Sequence, residues 1–216
     1  MQTTFGFLLQ SGTFSADVPD GVDLGFEQAA SAGLNPGSPT ALQCAPKSHL
    51  DFAELGWGNP AGLIGTPANV QFFTSDDPAA VWPVWDLDTH YAWVQLEGKN
   101  TRPSADLVTS FVNGVDFEID GDGVPRASLS NGFARGNPYT FNVSRDHVFY
   151  GLDGRLLTFR YDGSLGVGRN SRDGNNALIT LTTPLGISVV HNGPFGLKDE
   201  LMSIASQAAA SIQQVG

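Results

Sequence analysis

The carboxylates of Glu118, Asp120 and Asp122 stand at alternate positions in a stretch, Val115 to Ser130, that reads VDFEIDGDGVPRASLS. Alternate residues of an extended chain share a face, so this stretch offers three oxygen donors in one direction. Oxygen-only donors suit a calcium ion. Carboxylates about 5 Å apart also suit the nucleophile and acid/base roles of glycoside hydrolysis. Asp86, Asp88 and His90 repeat the spacing and add an imidazole, a donor set for a divalent metal. Cys44 with His49 supplies the residue types of a nucleophilic dyad.

Each set lacks a partner that its chemistry needs. Glu118, Asp120 and Asp122 followed by Gly123 resemble the D-x-D-x-D-G opening of an EF-hand-type loop, which implies calcium held by those three carboxylates. The twelfth position counted from Glu118 is Leu129, where such a loop needs a bidentate carboxylate. Glu118-Ile119-Asp120 is also similar to the E-I-D-x-x-E strand of the laminarinase and lichenase type of retaining glycosidase, a β-jelly roll. That resemblance implies a nucleophile, a helper and an acid/base on one strand face, with Trp57, Trp82, Trp85 and Trp93 available to stack on sugars. Gly121 and Gly123 turn the chain within the motif, and Asp122 stands where a longer Glu belongs. The glycine run Gly163 to Gly168 lies between short strands and opens no helix. Neither G-x-S-x-G, G-x-x-x-x-G-K-[ST], H-E-x-x-H nor zinc-spaced Cys/His pairs occur. The sequence therefore assigns no catalytic residue and no cofactor, with calcium at Glu118, Asp120 and Asp122 as the metal alternative.

The elements around these residues read as strands. Val115, Phe117 and Ile119 alternate with Asp116, Glu118 and Asp120, and Asp120-Gly121-Asp122-Gly123 has the chemistry of a hairpin turn. Further strands are expected at Thr3 to Leu9, Thr13 to Val18, Val70 to Thr74, Val81 to Glu97, Leu107 to Val112, Val124 to Leu129, Tyr139 to Val143, Val148 to Tyr150, Arg155 to Tyr161, Ala177 to Thr182 and Ile187 to His191. In Val81 to Glu97, Trp85, Leu87, Tyr91 and Trp93 fall on one face, with Asp86, Asp88 and His90 on the other. Pro83 requires a sheet edge or a bulge. Turn dipeptides such as Asn113-Gly114 and Asp173-Gly174 separate many of the strands, which indicates a mainly β, antiparallel sandwich or jelly-roll-like domain. Residues 1–68, rich in Pro and Gly, read as a loop-rich arm with two helical turns around Phe26 to Leu34. Residues 69–192 read as the β domain and 193–216 as a terminal helix, all within one structural domain. In that helix Leu197, Leu201, Ile204, Ala205, Ala208, Ile212 and Val215 recur at helical spacing, behind Gly196 as N-cap.

Composition narrows the partners. The 216 residues carry a net charge of −11 and only 15% charged residues, against roughly 25% in ordinary soluble domains. That balance opposes general nucleic-acid binding and attachment to an anionic membrane. Residues 1–98 hold eleven acids and one base, Lys47, while residues 99–216 hold eleven acids and ten bases. This asymmetry suggests head-to-tail contact between copies, with Arg145, Arg155, Arg160 and Arg169 on one side and Leu201, Ile204 and Ile212 of the helix as apolar contacts. One cysteine permits no intrachain disulfide. No signal-peptide pattern and no run of about 18 apolar residues is present, so cytoplasmic synthesis is expected. Together these features lead to an expectation: a structural subunit of a homo-oligomeric particle, such as a bacteriophage capsid, tail or decoration protein, with its own copies and other particle proteins as partners. A lectin-like module binding carbohydrate or calcium is the alternative, with glycoside hydrolysis as its enzymatic extension.

Overall fold

The computed structural model describes residues 1–20, 22–23, 28–33, 39–49, 59–61, 65–76, 79–97, 101–129, 142–152, 155–161, 171–173 and 175–216. In chain order the first strands are β1 (Gln2–Gly6), β2 (Thr13–Asp17), β3 (Val22–Asp23), β4 (Gln28–Gly33), β5 (Pro39–Pro46) and β6 (Asn59–Ala61). Next come β7 (Val70–Asp76), β8 (Ala79–Leu87), β9 (His90–Val94), β10 (Leu96–Glu97), helix α1 (Ala105–Val112), β11 (Val115–Ile119) and β12 (Pro125–Leu129). The chain continues through β13 (Asn142–Leu152), β14 (Arg155–Tyr161), β15 (Ser171–Asp173), β16 (Asn176–Thr182), β17 (Ile187–Pro194), helix α2 (Lys198–Ser211) and β18 (Gln213–Gln214). The protein is mainly β, with antiparallel sheets and a C-terminal helix.

The chain divides into two compact units. One is built from Met1–Gln28 and Arg145–Gly216, the other from Ala29–Ser144. The amino-terminal strands are thus built into a folded unit with the carboxy-terminal third of the chain. β1 and β2 form an antiparallel hairpin, and β18 adds to the free side of β2 through Gln213↔Ser15 and Gln214↔Phe14. In the same unit β15, β16, β17, β14 and β13 are neighbours in that order, each paired antiparallel. The two sheets share a core. Phe5, Phe7 and Phe14 of the hairpin region pack with Leu157, Phe159, Ile179, Ile187 and Val189 of the larger sheet. The Phe5 and Phe159 rings stack with centroids 4.4 Å apart. Leu201, Ala205 and Ala208 of α2 close the same core.

In the second unit β5, β9, β8, β7 and β6 are successive neighbours. Both faces of this sheet carry large side chains. Trp85 is buried on one face and its ring meets Phe117 of β11 at 4.8 Å between centroids. The opposite face gathers Ala45, Val84 and Trp93, with Phe73, Trp82 and Tyr91 against them. β10 pairs with β8 at Val81↔Leu96, and β9 pairs with it from Val84↔Trp93 onward. The ladder therefore lapses opposite Trp82 and Pro83, where proline has no N–H to give, as the sequence required of a proline here.

Four expectations are corrected. Leu107 to Val112 is not a strand but most of α1. Ser104 accepts a hydrogen bond from the Leu107 N–H as N-cap, and Val108, Phe111 and Val112 bury one helical face. Gln28–Gly33 is strand, not helix. Val81 to Glu97 is a hairpin that turns at Asp88-Thr89, with Asp88 at φ 48°. Helix α2 begins at Lys198 with Leu197 as N-cap, and Ile212 ends it in an extended conformation from which β18 follows. Tyr139 to Phe141 of the expected strands and residues 50–58 and 62–64 of the expected arm lie outside the described residues, whereas Asn59–Ala61 within that arm is a strand.

Candidate functional site

The acidic hairpin forms at the expected residues. β11 and β12 pair from Val115↔Leu129 to Ile119↔Pro125, which places Glu118 opposite Arg126 and Asp116 opposite Ser128. Val115 and Phe117 are buried while Asp116 and Glu118 are exposed, as the alternation dictates. Gly123 takes φ +77° at the tip, a conformation that a side chain would strain.

Asp120 belongs to its own turn. Its Oδ1 accepts the backbone N–H of Asp122 and that of Val124, both at 2.9 Å. Its Oδ2 accepts the Arg126 Nε–H at 2.8 Å. Its backbone N–H donates to the Val124 carbonyl, and its own carbonyl accepts the Gly123 N–H. Burial raises the proton affinity of this carboxyl, but the Val124 N–H, the Arg126 guanidinium and the Asp122 N–H outweigh it and hold the pKa below the usual carboxylate range. Its charge is matched by Arg126, and three hydrogen bonds are committed to its two oxygens. Glu118 and Asp122 are exposed to either side. Arg126 is a residue that motif matching misses, though the hairpin register alone places it across from Glu118.

The hairpin turn at Asp88 separates the second candidate set. Asp86 pairs with Tyr91 and Leu87 with His90, so Asp86 and His90 lie on opposite faces of the sheet. By the same register Tyr91 and Trp93 face away from Trp85 and Leu87. Asp86 holds Lys47 in an ion pair, with the Lys47 ammonium 5.0 Å above the Tyr91 ring. The Asp86 hydrogen bond raises the Lys47 pKa, and burial lowers that of His90. Among the described residues no three His, Cys, Asp or Glu side chains converge as metal ligands. Cys44 is buried, which pushes its thiol up to about 12 and leaves it without thiolate character at neutral pH.

The residues assigned to contact between copies are distributed differently from expectation. Leu201 is fully buried in the core of its own unit, and Ile204 and Ile212 pack against that core. Leu201 is spent internally because the sheet formed by β16 and β17 offers it an apolar face, while Ile204 and Ile212 stay half-buried at the margin of that core. Arg155 is also turned inward, its side chain only 10% exposed, and its Nη1 donates to Glu200 Oε1 at 3.0 Å. Arg160 is half-buried on β14, opposite Ser188 of β17. Arg145 lies on β13, whose side chains are outside the description, and Arg169 lies outside the described residues. The charge asymmetry of the two sequence halves also dissolves in the fold. Met1–Gln28 with Arg145–Gly216 carries ten acids against six bases, and Ala29–Ser144 twelve against five, so both units are acidic.

Helix α2 presents a different outward face. Its first turn exposes Lys198, Asp199 and Glu200, but beyond that turn Ser203, Ser206, Gln207 and Ala210 are exposed and uncharged, and the exposed Gln213, Gln214, Val215 and Gly216 continue without a side-chain charge. No described helix is long and apolar enough to cross a membrane.

The chain matches no family model, no curated protein and no solved structure. Function is therefore read from these residues alone.

Proposed function

We propose that the chain is a structural, non-catalytic subunit of a large homo-oligomeric assembly of the kind that forms a virion, such as a bacteriophage capsid, tail or decoration protein. It would be made in the host cytoplasm and reside in the particle, with its own copies and other particle proteins as partners. The observation that carries this reading is the outward face of α2. Exposed helix surfaces ordinarily carry Lys, Glu or Arg along their length, whereas past the charged first turn of α2 Ser203, Ser206, Gln207 and Ala210 carry small or uncharged groups. Small uncharged side chains permit close approach of a neighbour without desolvating a charge. The low overall charge, 15% of residues, points the same way.

The test is sedimentation of the purified protein across a wide concentration range, with electron microscopy of the heavy fraction. Ordered multimers are expected, and Ser206→Glu with Ala210→Glu should reduce them to single chains of unchanged circular dichroism. A wild-type chain that stays monomeric at high concentration would sink the proposal. A glycan array and calcium calorimetry address the lectin-like alternative. Sugar or calcium binding that is lost in Asp120→Ala, by a monomeric chain, would replace the assembly reading.

A further inference from the structure

Beneath α2 lies a group that the assembly reading does not use. His191 is fully buried on the core face of β17, with Leu157 of β14 directly across on one side and Ile179 of β16 on the other. Its Nδ1 lies 3.3 Å from the backbone carbonyl of Leu201 in α2. A carbonyl only accepts, so Nδ1 carries the proton and Nε2 presents a bare lone pair. Nε2 is buried and has no hydrogen-bond partner among the described residues.

This arrangement holds one protonation state. A second proton would turn Nε2 into a donor with no acceptor and place a full charge among Leu157, Ile179 and Leu201. The charged groups that bear on the ring are Arg155 from β14 and Glu200 from α2, while β16 presents Ile179. Arg155 opposes the imidazolium and Glu200 favours it. The Leu201 carbonyl, which accepts from Nδ1, also favours the charged ring, but burial outweighs it, and Arg155 and Glu200, paired with each other at 3.0 Å, act in opposite directions. The helix is also closely fitted at this point. Gly193, two residues along β17, would bring a Cβ within 3.0 Å of both Leu201 Cδ2 and Arg155 Cδ. The sheet therefore has little room to rearrange around a charged ring while α2 stays in place.

We propose that His191 makes α2 an acid-released latch: protonation at Nε2 drives the helix off its sheet and exposes the apolar face formed by Leu201, Ala205 and Ala208. Burial places the ring's pKa below the ordinary histidine range. The sign follows from that direction. The contribution of the neutral ring is complete above the unfolded-state value of about 6.5 and is lost as pH falls from there through the lower folded-state value. One extra proton bound in the released state weakens the latch by about tenfold per pH unit across that window.

Hydrogen exchange of the full chain between pH 7.5 and 4.5, corrected for intrinsic rates, reads this directly. Peptides within 198–211 are expected to lose protection about tenfold per pH unit from about pH 6.5 down to the ring's own folded-state value, while peptides within 105–119 keep theirs. His191→Leu should abolish that slope. Should this variant fail to fold, the wild type still decides, because the nitrogen shifts of the His191 ring report its protonation against the same exchange curve. Helix amides that remain protected down to pH 4.5 overturn the proposal, whether or not the ring has taken a proton. So does an identical slope in His191→Leu, or loss of protection at 105–119 in parallel with the helix.

Discussion

Asp120 shows how a carboxylate that looks like a ligand becomes a structural group. Three hydrogen bonds to one side chain, two from backbone N–H groups and one from Arg126, fix the turn and leave little for a cation to gain. Asp120→Ala should therefore destabilise the hairpin by about 1–2 kcal/mol, the usual cost of losing a capping carboxylate with its charged partner. The loss can be read as a lower urea midpoint in tryptophan emission, because Trp85 packs on Phe117 of the same hairpin. The pH dependence has a definite sign. A carboxyl held below its unfolded value of about 3.9 contributes fully above that pH, and the contribution fades as pH falls through the folded value. Wild type and Asp120→Ala should accordingly converge in stability under strong acid. Persistent separation there would show that the loss came from packing instead. The alternation that buries Phe117 and exposes Glu118 was legible in the sequence. The commitment of Asp120 was not, because hydrogen bonds to backbone N–H groups depend on the turn conformation and leave no residue pattern. Gly193 makes the complementary case. Its φ is unremarkable, so it is not there to turn the chain; it is there because Leu201 and Arg155 occupy the space beside it. Gly193→Ala should overpack this contact and cost about 1–3 kcal/mol. Chemical denaturation followed by circular dichroism gives the magnitude, and faster exchange within residues 198–211 identifies α2 as the element displaced. A variant as stable as wild type would mean that the helix has slack, which would also count against a tightly fitted His191.

At the scale of elements, sequence and structure part where periodicity was short. ADLVTSFV could be read as an alternating strand or as two turns of helix. What decides is the cap, since Ser104 receives the Leu107 N–H and lets Val108, Phe111 and Val112 share one face. Ser104→Ala should cost about 1 kcal/mol and raise the exchange rates of the first turn of α1, with β11 little changed. Equal loss across β11 would indicate that helix and hairpin open as one. Val81 to Glu97 failed for a related reason. Its alternation is good on both sides of Asp88, and a two-residue turn with one residue at positive φ can interrupt it without a glycine to announce the break. That one turn moves His90 to the other face from Asp86 and dissolves the proposed metal set. The long strands β14 and β16, and the buried stripe of α2, were legible because enough consecutive residues repeat one period.

At the scale of the whole molecule the division into units was the least legible feature, since it joins Met1–Gln28 to Arg145–Gly216 across more than half the sequence. No local pattern encodes that β18 will pair with β2. The division nonetheless has a spectroscopic consequence, because Trp57, Trp82, Trp85 and Trp93 all lie within Ala29–Ser144 and none within the other unit. Tryptophan emission therefore reports one unit, and exchange of α2 reports the other. Phe117→Ala removes the ring packed on Trp85 and should cost about 3–5 kcal/mol in the unit that contains it. The emission transition should move to markedly lower urea, while residues 198–211 keep wild-type protection at the same concentrations. The core that holds α2 is built from Leu157, Phe159, Ile179 and Val189, none of which belongs to the perturbed unit. If the two probes instead shift together by the full amount, the units unfold as one cooperative block. A helix can still open locally within such a block, so the acid exchange of residues 198–211 against 105–119 then decides whether the latch opens by itself.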